Sequence, residues 1–164
     1  MSGRVIVLMR HGAAEDASEE RPDEERALTD EGHARMKLVA RGLSVALARP
    51  AAIISSPLVR CVQTARWVSR AYRGRPEPDT ADILAPATDL DALESFVRSL
   101  PEKRTVLIGH EPTLSLLAER LLGIRESGAI RFGKGGACAI RVEEDDAKLE
   151  WLMTPKVLRS LGSR

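Results

Sequence analysis

The 164-residue sequence has few cysteines, no long apolar run and almost no net charge. Its two cysteines, Cys61 and Cys138, stand far apart, which excludes a disulfide framework and offers no metal-ligand spacing. We therefore expect no metal, no cofactor and a reducing compartment such as the cytoplasm. No stretch approaches the roughly 20 apolar residues of a membrane helix, and the short N-terminal apolar run is not typical of a signal peptide.

The charges are balanced, with 25 lysines and arginines against 24 aspartates and glutamates, so the formal net charge is +1. Proteins that bind nucleic acid or anionic membranes usually carry clustered excess positive charge, and we expect neither partner here. Hydrophobic residues make up 43% and charged residues 30% of the chain, which is typical of a soluble globular protein. We expect a single domain over residues 1–164, and the sequence gives no oligomeric state.

Short apolar segments predict strands that are buried on both faces, as in a parallel sheet: Val5–Met9, Ala51–Ser55 and Thr105–Ile108. Helical patterns lie between these segments. The first helix is expected to begin after Thr29, which can cap it. The second is expected to begin at Ser56-Pro57, with Ser56 as N-cap and Pro57 as its first residue.

The later part of the chain predicts a helix over Asp89–Leu100 and another from Pro112 to Leu122, stopped by Gly123. The segments "ACAIRV" and "KLEWLM" then predict a hairpin on the same sheet. This order of elements indicates a three-layer α/β/α sandwich with a mostly parallel sheet and a C-terminal hairpin.

Polar residues follow all three predicted parallel strands. Arg10, His11 and Gly12 follow the first strand, Arg60 lies in the first turn of the helix after the second, and His110 follows the third. Because ligands of such sheets bind beyond the carboxyl ends of the strands, we expect these residues to converge. Arginine forks and helix N-termini both favour a phosphoryl group.

A neutral imidazole is a nucleophile near pH 7, so His11 can attack phosphorus and form a covalent phosphohistidine. Arg10, Arg60 and His110 would stabilise the oxygens of the transferring group, and Gly12 would keep bulk away from its approach. This charge balance requires no metal.

The motifs "LMRHG", "LTDEG", "SSPLVRCVQTA" and "IGHEP", in this order, resemble the histidine phosphatase superfamily, also called phosphoglycerate-mutase-like. The segments "RALTDEG", "GHEPTLS" and "GKGGACAI" resemble its SixA-type phosphohistidine phosphatase branch. The resemblance implies a phosphoglycerate-mutase-like fold, His11 as nucleophile, a phosphate pocket of Arg10, Arg60 and His110, and Arg26 near the pocket entrance. It also implies a phosphorylated substrate, with a histidine-phosphotransfer protein as the candidate.

Larger members of that superfamily carry a glutamate that protonates the leaving group, and its motif is absent here. Asp82 is the nearest carboxylate to that place, while Glu15, Asp16, Asp23 and Glu111 are candidates without a motif. Glu111 at a helix start is as well explained by capping. An ester alkoxide needs an acid more than an imidazole does, so a pocket without one suits phosphohistidine.

Two alternatives stay open at this stage. The same residues could hydrolyse small phosphomonoesters, with an acid that the sequence does not reveal. The chain could also be a phosphoryl-binding module without turnover, although such a module would not need a nucleophile between phosphate-binding arginines.

Overall fold

The computed structural model describes residues 3–101, 103–125 and 128–164. Its elements follow the chain in this order: β1 (Arg4–Arg10), α1 (Asp30–Ala46), β2 (Ala52–Ser55), α2 (Val59–Arg70), β3 (Asp79–Thr80), α3 (Leu90–Ser99), β4 (Arg104–Gly109), α4 (Thr113–Leu121), β5 (Ala137–Val142), β6 (Ala147–Met153) and α5 (Pro155–Gly162). In these described residues the strands form one six-stranded sheet with the order β3-β2-β4-β1-β5-β6. Strands β1 to β4 are parallel, whereas β5 and β6 form an antiparallel hairpin beside β1.

Strand β1 is apolar on both faces because it lies inside the sheet, between β4 and β5. Val5, Val7 and Met9 pack into the layer formed with α1, α2 and α5. Ile6 and Leu8 pack into the opposite layer, formed with α3 and α4. The predicted three-layer sandwich, with a mostly parallel sheet and a C-terminal hairpin, is confirmed.

The starts of the first two helices differ in how well the sequence predicted them. Thr29 caps α1 as predicted, since its Oγ1 accepts a hydrogen bond from the Gly32 N–H at 2.9 Å. The predicted start of α2 at Ser56-Pro57 was wrong, because the helix begins at Val59 without a side-chain cap. Ser56 Oγ instead accepts from the Leu58 N–H at 3.3 Å and faces the end of β4.

The sequence analysis did not predict two elements. Strand β3 has only two residues, too few for a pattern. Helix α5 has only eight residues, although its start carries an ordinary helix-start signal. The Thr154 Oγ1 accepts a hydrogen bond from the Val157 N–H at 3.3 Å, and Pro155 occupies the first helical turn.

The register of the parallel strands aligns their carboxyl ends. Arg10, the last residue of β1, lies beside Gly109 at the end of β4. Ser55, the last residue of β2, lies beside Ile108 of β4. The residues that follow these strands are therefore brought to one edge of the sheet.

Helices α1 and α5 pack closely through glycines. A β-carbon on Gly42 would overlap the carbonyl oxygen of Leu158, and one on Gly162 would overlap the carbonyl oxygen of Leu38. Both obstacles are backbone atoms, which move less readily than a side chain. Space, and not backbone conformation, therefore requires glycine at these positions.

We expect Gly42→Ala to lower the free energy of unfolding by about 1–3 kcal/mol, the usual cost of overpacking. The direction of this change is informative, because glycine to alanine in an open helix would raise stability by up to about 1 kcal/mol. Urea unfolding measures the free energy of unfolding of both proteins. The control is Val45→Ala on the exposed side of α1, where Val45 is 68% exposed and no such overlap arises. Unchanged or higher stability of Gly42→Ala would contradict the packing argument.

Candidate active site

His11 follows β1 directly and is buried, with 7% of its surface exposed. Its Nδ1 lies 2.7 Å from the carbonyl oxygen of Gly12. Since a carbonyl oxygen only accepts, Nδ1 carries the proton and donates it. The lone pair is therefore on Nε2, and the Nε–H of Arg60 donates to it at 3.3 Å.

The environment keeps the His11 imidazole neutral. The pKa of His11 is lowered from 6.5 to about 3, first by burial and then by the nearby Arg60, His110 and Arg10, against the opposing hydrogen bond to Gly12. The Nε2 lone pair is thus present throughout the physiological pH range, as nucleophilic attack requires.

Arg60 is the second residue of α2, and only 4% of its surface is exposed. The side edge of its planar guanidinium faces both imidazoles: Nε donates to His11 Nε2, and Nη2 lies 3.5 Å from His110 Nδ1. The adjacent, terminal edge faces Asp23. Nη1 donates to the Asp23 carbonyl oxygen at 2.8 Å and Nη2 donates to its Oδ2 at 3.1 Å.

His110 follows β4, and its ring centroid lies 5.4 Å from that of His11. Because Arg60 can only donate, His110 Nδ1 is the acceptor, and Nε2 carries the proton and donates to Ser56 Oγ at 2.8 Å. Burial, followed by the charge of Arg60, lowers the pKa of His110 to about 4. The sequence pattern at Ser56 predicts helix capping, and nothing in its spacing indicates this contact.

Arg10 is held from the hairpin side of the site. Its Nη1 donates to the carbonyl oxygen of Phe132 at 3.0 Å, and its backbone N–H donates to Gly136. Its Nε is buried and has no hydrogen-bond partner among the described residues. Its charge adds to the lowering of the pKa values of His11 and His110. A buried donor without a partner suits an anionic ligand.

Gly12 is enclosed on the core side. The β-carbon of any larger residue would overlap the side chain of Met36 and lie 3.2 Å from Leu28. The Gly12 N–H donates to Thr64 Oγ1 at 3.1 Å. Close packing against α1 therefore gives a reason for glycine here, in addition to the expected access to phosphorus.

Arg26 lies at the rim of the site and is connected to Arg60 through Asp23. Its Nε donates to the Glu15 carbonyl oxygen at 2.6 Å, and its Nη1 donates to Asp23 Oδ1 at 2.8 Å. Asp23 begins a short 3₁₀ turn, Asp23–Glu25, in the loop between β1 and α1. The sequence offered no motif for the Asp23 pairing with Arg60, 37 positions away.

Of the carboxylates considered as the acid, Asp16, Asp82 and Glu111 make no hydrogen bond to His11 among the described residues. Asp16 and Asp82 are exposed. Glu111 is occupied at the start of α4, where Oε1 accepts from the Ser115 N–H at 3.0 Å and Oε2 accepts from the Ser115 hydroxyl at 2.5 Å. Its Oε2 also accepts from the Phe132 N–H at 3.3 Å. The capping interpretation of Glu111 accounts for these contacts.

Residues 3–101, 103–125 and 128–164 contain no group of three or more His, Cys, Asp or Glu side chains that could bind a metal ion. No helix in them has the length and apolarity to cross a membrane.

The two neutral imidazoles make stability depend on pH. Below pH 6.5 the unfolded chain binds protons that folded His11 and His110 do not, until their folded pKa values of about 3 and about 4 are reached. The free energy of unfolding should therefore fall on acidification from about pH 6.5 to about pH 4, each histidine contributing up to about 1.4 kcal/mol per pH unit. Urea unfolding across this range tests it, and His11→Gln should lose less than the wild type. Equal losses would show that His11 does not contribute.

Comparison with known proteins places this geometry in a family. The model of the histidine phosphatase superfamily (branch 1) matches residues 6–83, which include Arg10, His11 and Arg60. An uncharacterised protein of Picosynechococcus sp. is 33% identical over 164 residues, covering 93% of this chain and 98% of that protein.

Solved structures share the fold over nearly the whole chain. The protein histidine phosphatase SixA complexed with tungstate has a TM-score of 0.83 at 22% identity, covering 94% of this chain and 99% of that one. A provisionally assigned phosphohistidine phosphatase SixA from Agrobacterium tumefaciens has a TM-score of 0.80 at 23% identity, covering 94% and 100%. With the family match, the common fold and the assembled strand-end residues, this chain belongs to the histidine phosphatase superfamily.

Proposed function

We propose that this phosphatase hydrolyses phosphohistidine in a protein, by a metal-independent reaction through a covalent phosphohistidine at His11. The observation that carries the proposal is the His11 tautomer. Its Nδ1–H donates a hydrogen bond to the Gly12 carbonyl oxygen, and its Nε2 lone pair faces the side edge of Arg60. A phosphoryl group at that edge would have the nucleophile beside it.

In the first step, His11 Nε2 attacks phosphorus and the bond from phosphorus to the substrate imidazole nitrogen breaks. The electron pair passes to that nitrogen, which takes a proton from water. In the second step, water attacks the phosphorus of phospho-His11, releases orthophosphate and restores the Nε2 lone pair. Arg10, Arg60 and His110 stabilise the oxygens of the transferring group in both steps.

The substrate class follows from the leaving group. An alkoxide leaves poorly and benefits from a general acid, whereas an imidazole is readily protonated by solvent. Among the described residues, Asp23 is the carboxylate bonded to the pocket arginine, and its pKa is lowered, first by the hydrogen bond from Arg26 and then by Arg60. A carboxylate held ionised cannot protonate an alkoxide, which favours a phosphoramidate over an ester.

The similarity to SixA supports the same proposal. The similar SixA structure is a protein histidine phosphatase complexed with tungstate, a tetrahedral oxyanion like phosphate. We infer that this chain binds such an oxyanion between Arg10 and Arg60, and that its substrate is a histidine-phosphotransfer protein.

A paired assay tests the substrate class. One substrate is a phosphohistidine-bearing phosphotransfer domain, and the other is a panel of phosphomonoesters that includes p-nitrophenyl phosphate. We expect a kcat/KM preference for the phosphoprotein, loss of turnover in His11→Ala, and wild-type turnover in His33→Ala, whose histidine instead contacts Trp67. A chelator should change none of these values.

A preference for esters would redirect the proposal to small phosphomonoesters, and tungstate binding without turnover of either substrate would indicate a binding module.

We propose that two N–H groups of the Arg60 guanidinium donate to oxygens of the phosphoryl group, and Arg60→Lys tests this role. Lysine keeps the charge but removes the planar fork, so we expect kcat to fall by about 100-fold or more, as when an oxyanion donor is removed elsewhere. Steady-state kinetics with either substrate class measures it. Arg66→Lys, a change on the exposed side of the same helix, is the matched control. A wild-type kcat for Arg60→Lys would show that charge alone suffices.

A further inference from the structure

Asp23 occupies the terminal edge of the Arg60 guanidinium with two groups. Its carbonyl oxygen accepts from Nη1 at 2.8 Å and its Oδ2 accepts from Nη2 at 3.1 Å. The Arg60 side chain is almost fully buried, at 5% exposure, whereas that of Asp23 is 50% exposed. Asp23 therefore contacts the arginine from the mouth of the site, while the side edge of the guanidinium faces the two imidazoles.

The other carboxylate oxygen of Asp23 is also occupied. Oδ1 accepts from Arg26 Nη1 at 2.8 Å, and Arg26 is fixed in turn to the carbonyl oxygen of Glu15 at 2.6 Å. These contacts form a chain, Arg26–Asp23–Arg60, which we call the Asp23 bridge. It connects the β1–α1 loop to the first turn of α2.

The bridge fixes the orientation of a planar group. With its terminal edge on Asp23, the guanidinium must direct Nε and Nη2 toward His11 and His110. Two phosphoryl oxygens can accept from these two donors, the bidentate geometry that arginine favours. His11 Nε2 would then be released from Arg60 and would be free to attack.

We propose that Asp23 is a positioning residue, which acts through Arg60 and does not serve as the general acid of the reaction. This inference rests on the proposed function, because it assigns Arg60 to the transferring phosphoryl group. It also accounts for the missing acid, since the carboxylate bonded to the pocket accepts from arginine N–H groups at both oxygens. The bridge thus favours substrates whose leaving group takes its proton from water.

The test compares Asp23→Asn with wild type on leaving groups of different basicity: p-nitrophenyl phosphate, phenyl phosphate and phosphoimidazole. Loss of a positioning residue should lower kcat/KM by the same factor, about 10- to 100-fold, for all three. Tungstate affinity, measured by calorimetry, should weaken as well, because the bridge orients the oxyanion donors. Glu24→Gln, an exposed neighbour on the same 3₁₀ turn, is the matched control and should match wild type.

A double-variant cycle separates positioning from a general structural effect. If Asp23 acts through Arg60, then adding Asp23→Asn to Arg60→Ala should cause no further loss of kcat/KM. If Asp23→Asn lowered kcat/KM far more for phenyl phosphate than for p-nitrophenyl phosphate, Asp23 would be the general acid and the proposal would be overturned. Wild-type kinetics of Asp23→Asn, or a full additional loss in the Arg60→Ala background, would also overturn it. The wild type could instead prefer esters while Asp23→Asn lowers kcat/KM equally for all three substrates. That result would reject the phosphohistidine substrate but support the positioning role of Asp23.

Discussion

The site depends on a buried arginine whose guanidinium is held between two uncharged imidazoles and one exposed carboxylate. Arg60 is only 4% exposed, and a cation so buried is costly unless its N–H groups are paired. Asp23 supplies the compensating charge from the mouth, while His11 and His110 offer lone pairs from inside. Burial is the main cause of the lowered pKa values of both imidazoles, and the charge of Arg60 lowers them further.

The residues around Arg60 include His11 and His110, which directly follow the ends of parallel strands. A strand end fixes the backbone of the residue that follows it, and the parallel register aligns three such ends at one edge. The His11 N–H donates to the Gly109 carbonyl oxygen at 3.2 Å, so His11 and the residue before His110 share a backbone contact. The sheet consequently fixes the backbone positions of His11 and His110 relative to each other.

The sheet, its layers and the converging residues could be predicted because each has a local signature. Continuous apolar runs such as Val5–Met9 indicate strands buried on both faces, and the polar residues after them mark the edge where ligands bind. The roles of Asp23 and Ser56 could not be predicted, since each depends on contacts between segments far apart in sequence. Ser56 carried a helix-start signal that tertiary packing overrode, and Asp23 lies in a loop without periodicity.

The central position of β1 also governs how the chain must fold. This strand comes early in the sequence, yet its partners are β4 and β5, about 100 and 135 residues further along. Parallel pairing over such separations must overcome loop-closure entropy before it is rewarded, which slows folding. His11 acquires its backbone contact only when β4 is in place, and His110 lies beyond that strand. The candidate site therefore cannot assemble before β4 pairs with β1, and no substructure formed by residues 3–100 alone contains it.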